Sequence, residues 1–288
     1  MKENPLVSVL INCFNEQKYI KKSIQSIIDQ TYKNWELIIW DDKSSDNTLK
    51  IVKSFQDKRI KIFTNDKHLG LGPSRIKAQE KISGEFVAIL DADDFSEKDR
   101  LERQIKIFKM NKNVSIVCSW VKLIDENDRV IGKNTFTDNY FNLKETLSYK
   151  NIIPHPSVMY KTDSAKRSGW YNDSLEYAQD YDLSIKLLHK EEGHVIKDFL
   201  TSVRIRKNSM TLSKNLRELR IKEVIIILKK IRRMYNLKRK ISHLNLRNIK
   251  IYELKLDILS LNFSNFIKKT IKKLSKLFSL FIIYFKNE

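Results

Sequence analysis

Apolar and polar positions change their period repeatedly along the first 110 residues. Short, continuously apolar runs rich in β-branched residues predict buried strands at Leu6–Asn12, Trp35–Trp40, Arg59–Phe63 and Glu85–Leu90. Apolar residues at helical spacing predict helices between these strands, at Ile20–Ile28, Leu49–Phe55 and Ser74–Lys81. Strand–helix units whose strands are apolar throughout indicate a mostly parallel central sheet covered by helices on both faces.

The pattern is less regular after residue 110, and the change indicates how the chain is divided. A strand is predicted at Val114–Trp120 and a helix at Ala178–Lys190, with polar loops between them that are suited to binding. Beyond these loops the pattern is mostly helical. We therefore predict an α/β domain over residues 1–212, with halves at 1–110 and 111–212, and a basic helical extension over 213–288.

The basic excess of the chain lies mainly in its last quarter. The net charge is +20, of which +14 falls on residues 215–288 and +6 on residues 1–214. Between Phe263 and Phe285 apolar residues follow a period of about 3.6, and lysines occupy the opposite face. This pattern is typical of a helix lying in an anionic membrane surface. A helix that docks its apolar stripe on the preceding domain has the same pattern.

No segment is typical of secretion or of membrane crossing. The longest uncharged apolar stretch, 277–285, has nine residues, whereas a membrane-spanning helix needs roughly 20. The opening apolar run is too short for a signal peptide. With only Cys13 and Cys118, neither a disulfide framework nor a cysteine zinc site can form. These features predict a cytoplasmic protein.

Several common chemistries are disfavoured by what the sequence lacks. Gly70-x-Gly72 has no third glycine for a dinucleotide fingerprint, and no P-loop or G-x-S-x-G elbow occurs. The histidines are not spaced as zinc ligands. Carboxylates instead follow two predicted strands, in Asp41-Asp42 and in Asp91-Ala92-Asp93-Asp94. Parallel sheets bind ligands beyond such strand ends, and Mg²⁺ prefers carboxylate oxygens, although acidic residues there also form turns.

An ordered series of motifs over residues 5–212 resembles the family 2 glycosyltransferases, the inverting GT-A class with a Rossmann-like sheet. The matching segments are Leu6–Glu16, Ser26–Tyr32, Trp35–Asp42, Ser44–Thr48, Gly70–Arg75, Asp91–Asp94 and Gln179–Leu183. The resemblance implies a nucleotide-sugar site. Its residues would be Asn12 and Phe14 around the base, Asp42 on the base imide, Arg75 and Asp91 on the nucleotide, and Asn15 and Glu16 beside them.

The resemblance also implies the reacting groups. Asp93, with Asp91, would hold Mn²⁺ or Mg²⁺ against the diphosphate, and Asp180 would be the general base for a β-forming transfer. His155 and Arg206 would contact the acceptor; Arg206 stands where relatives usually have histidine. Each position has a structural alternative. Asp42 can end a strand, Asp180 can favour a helix N-terminus, and His155 can be a buried structural histidine.

The resemblance and the basic tail together indicate a function. We expect a UDP-sugar donor and a lipid-diphosphate-linked saccharide acceptor, as in surface polysaccharide or O-antigen assembly at the inner face of the plasma membrane. The C-terminal helix would bind the anionic membrane, and no nucleic-acid partner is expected. Two alternatives are a non-catalytic polyanion- or membrane-binding protein on a degenerate scaffold and a nucleotidyltransferase. A nucleotidyltransferase would need a basic, glycine-rich loop after the first strand, and this sequence has none there.

Overall fold

The computed structural model describes residues 3–136, 140–206, 216–235 and 239–259. Strands and helices alternate along most of this length. The strands are β1 Val7–Cys13, β2 Trp35–Asp41, β3 Ile60–Thr64, β4 Phe86–Ile89, β5 Phe95–Ser96, β6 Val114–Ile124, β7 Val130–Asn134, β8 Met159–Lys161 and β9 Glu192–Arg204. The helices are α1 Ile20–Ile28, α2 Thr48–Lys53, α3 Leu71–Gln79, α4 Arg100–Met110, α5 Tyr140–Leu147, α6 Thr162–Arg167, α7 Gln179–Lys190, α8 Arg217–Met234 and α9 Arg239–Leu259.

The strands form a single sheet in the order β3-β2-β1-β4-β8-β6-β9-β5, with β7 paired to β6. The first four strands of this order are parallel, as the strand–helix pattern predicts. Strand β8 then runs antiparallel to both β4 and β6, whereas β6 and β9 are parallel to each other. The α/β prediction is confirmed: β1 to β4 form a parallel group, and the rest of the sheet is mixed, since the short β5 also pairs antiparallel with β9.

The core lies where the helices cover the parallel strands. Helix α1 places Ile20, Ile24 and Ile27 on one face, and all three are fully buried against the sheet. Helix α4 contributes Leu101, Ile105 and Phe108 in the same way. Spacings of three and four residues put these side chains on one side of each helix. Burying each of them contributes about 1.5–3 kcal/mol relative to an exposed side chain.

A buried polar network joins the parallel strands near their N-terminal ends. The Ser8 hydroxyl donates to Glu36 Oε1 at 2.5 Å and accepts the Gly84 N–H at 2.8 Å. Lys61 Nζ donates to Glu36 Oε2 at 2.6 Å, and the Ser83 N–H to Oε1 at 2.8 Å. Burial raises the pKa of Glu36, but these hydrogen bonds outweigh it and the net shift is downward. The network therefore links β1, β2, β3 and the turn before β4.

The chain divides into two compact units. The first comprises Met1–Lys144 and Ile152–Lys207 and contains the sheet. The second comprises Glu145–Asn151 and Asn208–Glu288, and within it Asn245 Nδ2 on α9 donates to the Ser148 carbonyl at 2.6 Å. Among the described helices none is long and apolar enough to cross a membrane. The predicted surface helix at Phe263–Phe285 lies outside the described residues.

Candidate functional site

The predicted site residues meet where the parallel strands end. Register pairs Cys13 of β1 with Asp41 of β2. The loops that follow remain joined, because the Asp42 N–H donates to the Cys13 carbonyl at 2.9 Å. On the other side of β1, the Leu90 N–H donates to the Leu10 carbonyl at 3.1 Å. Asn12, Asp42 and Asp91 are thus at the same edge of the sheet, as expected from parallel strands.

At one end of this edge an aromatic ring lies beside a buried carboxylate. The Phe14 side chain is 39% exposed, while Asp42 is only 4% exposed. Asp42 Oδ1 accepts from Asn65 Nδ2 at 2.7 Å and from the Leu69 N–H at 2.9 Å. Asp42 Oδ2 accepts from the Gly70 N–H at 2.8 Å, and the Gly70 φ of 93° suits glycine. Asp42 therefore fixes the loop before α3 as well as facing the edge.

Asn15 and Glu16, two predicted nucleotide-sugar residues, have their side chains engaged within the protein. Asn15, at a left-handed φ of 55°, accepts from the Ser45 N–H through Oδ1 at 2.8 Å. This bond joins the loop after β1 to the loop after β2. Glu16 accepts both hydrogen bonds of the Arg206 guanidinium, at 2.7 and 3.0 Å. Through these contacts both residues join segments of the site to one another.

Two polar groups of the site have no hydrogen-bond partner among the described residues. Arg75, on α3, is 7% exposed and lies over the Tyr171 ring at 5.4 Å. Within the described ranges its guanidinium makes no hydrogen bond or ion pair, and the buried Asn12 Nδ2 likewise lacks a hydrogen bond. Buried polar groups are normally satisfied, and an unsatisfied cationic donor is especially costly. Arg75 and Asn12 are therefore available to a ligand.

Carboxylates are crowded in the segment after β4. Burial, the neighbouring Asp93 and, to a smaller extent, Asp180 raise the pKa of Asp91, Arg75 and Arg206 lower it, and the net result is about 6. Burial, with Asp93 and Asp91, also raises the pKa of Asp94. The turn is closed by the Asp94 N–H, which donates to the Asp91 carbonyl at 3.1 Å. A cation placed among these groups would relieve their repulsion.

Arg206 is the cation that the chain itself supplies there. Besides Glu16, its guanidinium contacts Asp93 Oδ2 at 2.8 Å. Burial lowers the pKa of Arg206 and raises that of Glu16, while the ion pairs act in the opposite direction; both residues keep a net upward shift. Arg206 was predicted to contact the acceptor, and in this state it bridges two acidic residues of the predicted donor site.

Two further arginines, Arg100 and Arg204, make hydrogen bonds next to or within the acidic segment Asp91–Asp94. Neither of them was predicted from the sequence. Arg100, fully buried, donates to the carbonyls of Ile89 at 2.9 Å and Val158 at 3.0 Å. Arg204 donates its N–H to Asp94 Oδ1 at 2.8 Å and its Nε–H to the Asp93 carbonyl at 2.9 Å. Burial lowers the pKa of Arg100 to about 9, against the charges of Asp94 and Asp91. Arg204 thus holds Asp93 and Asp94 through their backbone and side chain, and Arg100 holds the strand end just before them.

Asp180 lies in the first turn of α7, close enough to Asp91 to raise its pKa. The next acidic residue of the helix, Asp182, is buried and forms an ion pair with Lys186 at 3.1 Å. The two carboxylates of the Gln179–Leu183 motif thus differ in their surroundings: Asp180 lies near the Asp91 cluster, whereas Asp182 is buried within the protein. Helix α7 brings a residue from the second half of the sequence to the edge built by the first.

His155 is buried in a single 3₁₀ turn, His155–Ser157. Its Nε2 lies 3.1 Å from the Tyr171 hydroxyl. Burial, together with the charges of Arg75 and Arg100, lowers the pKa of His155 well below the usual range, so the ring is neutral. His155 is therefore behind the ring on which Arg75 lies. Its predicted contact with an acceptor stays a prediction.

The residues present fit a divalent cation only when a substrate completes its shell. Within the described part of the chain, no group of three or more His, Cys, Asp or Glu side chains is arranged to hold a metal. Mg²⁺ and similar ions are, however, commonly bound by one or two carboxylates together with substrate phosphates. Asp91 and Asp93 supply two; burial is the largest cause of the raised pKa of Asp91, and the charge of Asp93 adds to it. The ion pair between Arg206 and Asp93 would have to break before Asp93 could bind the ion.

The fold belongs to the GT-A class. A crystal structure of Staphylococcus aureus TarS residues 1–349 with UDP superposes with a TM-score of 0.65 at 20% identity, covering 90% of this chain and 73% of that one. The mannosyltransferase PcManGT of Pyrobaculum calidifontis, with GDP-Man and Mn²⁺, gives a TM-score of 0.64 at 17% identity, with coverages of 96% and 76%. Likeness at this level of identity establishes the fold alone.

Sequence comparison establishes the family. Residues 8–167 match Glycosyl transferase family 2. An uncharacterized glycosyltransferase of Methanocaldococcus jannaschii is 36% identical over 220 residues, which are 74% of this chain and 75% of that protein. WfgD of Escherichia coli, a UDP-Glc:alpha-D-GlcNAc-diphosphoundecaprenol beta-1,3-glucosyltransferase, is 30% identical over 212 residues, or 73% and 80% of the two chains. The chain belongs to glycosyltransferase family 2 and is an enzyme of that class.

Proposed function

We propose that this enzyme transfers a sugar from a UDP-linked donor to a hydroxyl of a lipid-diphosphate-linked saccharide, with inversion, in surface polysaccharide assembly. The observation that carries the proposal is Arg75, a buried guanidinium beside the Asp91 cluster that makes no hydrogen bond or ion pair with the described residues. A bound nucleotide would supply the missing acceptor atoms. The names of WfgD and of the TarS complex support the choice of UDP and of a diphosphate-lipid acceptor.

Each residue then has a chemical task. Phe14 and Asp42 receive the base by ring contact and by accepting its imide N–H, and Asn12 donates its free Nδ2–H to it. Asp180 takes the proton of the acceptor hydroxyl. That oxygen bonds to the anomeric carbon as the bond to the nucleoside diphosphate breaks. One displacement inverts the centre, so an α-linked donor gives a β-linked product.

We also propose a divalent cofactor, Mn²⁺ or Mg²⁺. Asp93 and Asp91 would hold it, and it would neutralise the charge that develops on the departing diphosphate. Arg206, released from Asp93, keeps its bidentate pair with Glu16. The guanidinium remains charged whether or not it contacts Asp93, and its position beside Asp93 supports a contact with phosphate oxygens of a bound donor.

Calorimetric titration of UDP tests the donor site. For the wild-type protein we expect Mn²⁺ to tighten UDP binding by about tenfold or more, because charge-assisted contacts contribute about 1.5–3 kcal/mol. Asp93→Ala should lose this gain while binding UDP without Mn²⁺ at least as well as wild type, since Arg206 is then free of its partner at 2.8 Å.

Asp163→Ala is the matched control, because Asp163 is an exposed carboxylate in the first turn of α6. It should behave as wild type. Retention of the full Mn²⁺ effect in Asp93→Ala would assign the metal to other ligands. Failure of wild-type protein to bind UDP with any metal would refute the donor assignment, and GDP and CDP titrated in parallel would show whether another base is accepted.

We further propose that the basic C-terminal segment binds the inner face of the plasma membrane, where lipid-linked acceptors are found. The support is the sequence pattern of Phe263–Phe285, with five lysines in residues 268–276. Deleting the residues after Asn262 should reduce co-sedimentation with phosphatidylglycerol vesicles by about tenfold or more, because each lysine near the surface contributes about 1 kcal/mol. Uncharged phosphatidylcholine vesicles are the control. Equal binding by the truncated and full chains would refute the anchor.

A further inference from the structure

A histidine ring occupies the place that the base would take. His68, in the loop before α3, stacks on Phe14 with ring centroids 3.9 Å apart and planes inclined by 28°. Its Nδ1 lies 2.9 Å from Asp42 Oδ2 and 3.3 Å from the Asp42 carbonyl. One planar ring therefore lies where both contacts assigned above to the base would be made, with a face against Phe14 and a ring nitrogen beside the Asp42 carboxylate.

The Asp42 carboxylate has no room for both rings. Its oxygens accept three hydrogen bonds, from Asn65 and from the Leu69 and Gly70 N–H groups, and His68 Nδ1 lies 2.9 Å from Oδ2, in the remaining space. The first three are a buried side chain and two backbone groups, which hold the loop in place. His68 is the replaceable partner, because its side chain is 53% exposed and can rotate into solvent.

We propose that His68 is a placeholder for the nucleobase, which must leave Phe14 and Asp42 before the donor binds. This inference rests on the proposed function, since it takes Phe14 and Asp42 as the base site. The imidazole lies beside the Asp42 carboxylate and covers one face of the exposed Phe14 ring. The donor then binds only the fraction of molecules whose His68 is displaced, and its apparent affinity is lowered by that fraction.

Binding of three uridine ligands to His68→Ala tests the placeholder. Removing the competing ring should tighten the binding of uridine, UMP and UDP by a common factor of about threefold to tenfold. This is about the contribution expected from the contacts of one polar group and one stacked ring in a partly exposed site. The gain should be the same for all three ligands, because they share the base and differ only in their phosphate groups. Measurements without metal keep the Asp93 site out of the comparison.

Lys67→Gln, an exposed change at the neighbouring position, controls for disturbance of the loop and should show no common gain. Equal or weaker binding by His68→Ala, with wild type binding normally, would overturn the placeholder and assign His68 as a wall of the site. A gain confined to UDP would overturn it too, because His68 would then act on phosphate. If wild type and His68→Ala both fail to bind any uridine ligand, the UDP assignment itself fails. Binding gained only in the variant supports the placeholder.

Discussion

Asp180→Asn is expected to reduce turnover by about 10²–10⁴-fold, the range over which a positioned general base contributes. The amide has nearly the shape of the carboxylate but cannot take a proton from the acceptor hydroxyl. UDP binding should be retained or slightly strengthened, because the charge of Asp180 adds to the repulsion that raises the pKa of Asp91. Steady-state rates and UDP calorimetry on the same preparation separate the two effects.

Asp182→Asn is the informative companion, since Asp182 lies two residues along the same helix but is buried against Lys186. Its replacement should lower stability, because it leaves a lysine without its ion-pair partner, and should leave turnover of the folded enzyme close to normal. If Asp180→Asn keeps more than a tenth of wild-type turnover, Asp180 is not the base.

Asp91→Asn is expected to have two opposite effects. Turnover should fall by at least about 10²-fold, since the variant removes a carboxylate from the nucleotide and metal site. Stability should rise at pH 7.5 by about 1–2 kcal/mol. A pKa moved from 3.8 to about 6 corresponds to an upper limit of about 3 kcal/mol at 1.36 kcal/mol for each pH unit, which partial exposure reduces.

The sign of the stability effect follows from the direction of the shift. The folded protein holds the Asp91 proton more tightly than the unfolded chain, so the stability associated with this group is present below about pH 4 and is lost as the pH rises to about 6. Urea unfolding should therefore show Asp91→Asn more stable than wild type at pH 7.5 and nearly equal to it at pH 4. Asp163→Asn should show no such difference. A destabilised Asp91→Asn at pH 7.5 would mean that the carboxylate is satisfied in the fold.

Local pattern was sufficient to predict the parallel half of the fold. Helix α1 has the predicted bounds, Ile20–Ile28, because its apolar spacing is strong and its ends are polar. The β2 strand was predicted within one residue for a similar reason. Placement of Asp42 and Asp91 at one edge followed from parallel topology alone. The candidate site could be outlined because its residues directly follow these strands.

The remaining features depend on contacts between distant parts of the sequence. Strand β8 has only three residues, and its position between β4 and β6 is not encoded in any local period. Arg100 has the sequence context of a surface arginine at a helix start, yet it is fully buried against two carbonyls. His68 belongs to none of the sequence motifs described above. Its stacking on Phe14 depends on the fold of the loop before α3 and could not be predicted from the sequence.

The buried Ser8–Glu36–Lys61 network sets the spacing of a site that it does not touch. Glu36 is six residues before Asp42 on β2, and at 3.3 Å per residue the network lies roughly 20 Å from the base site. Because β1 and β2 are extended and continuously paired, a slip at their starts would be carried to their ends undiminished, and a slip of one residue would turn every side chain to the opposite face. The network thus helps to fix the register between β1 and β2 at their starts. Through that register it also affects the distance between Asn12 and Asp42 at the other end of the sheet.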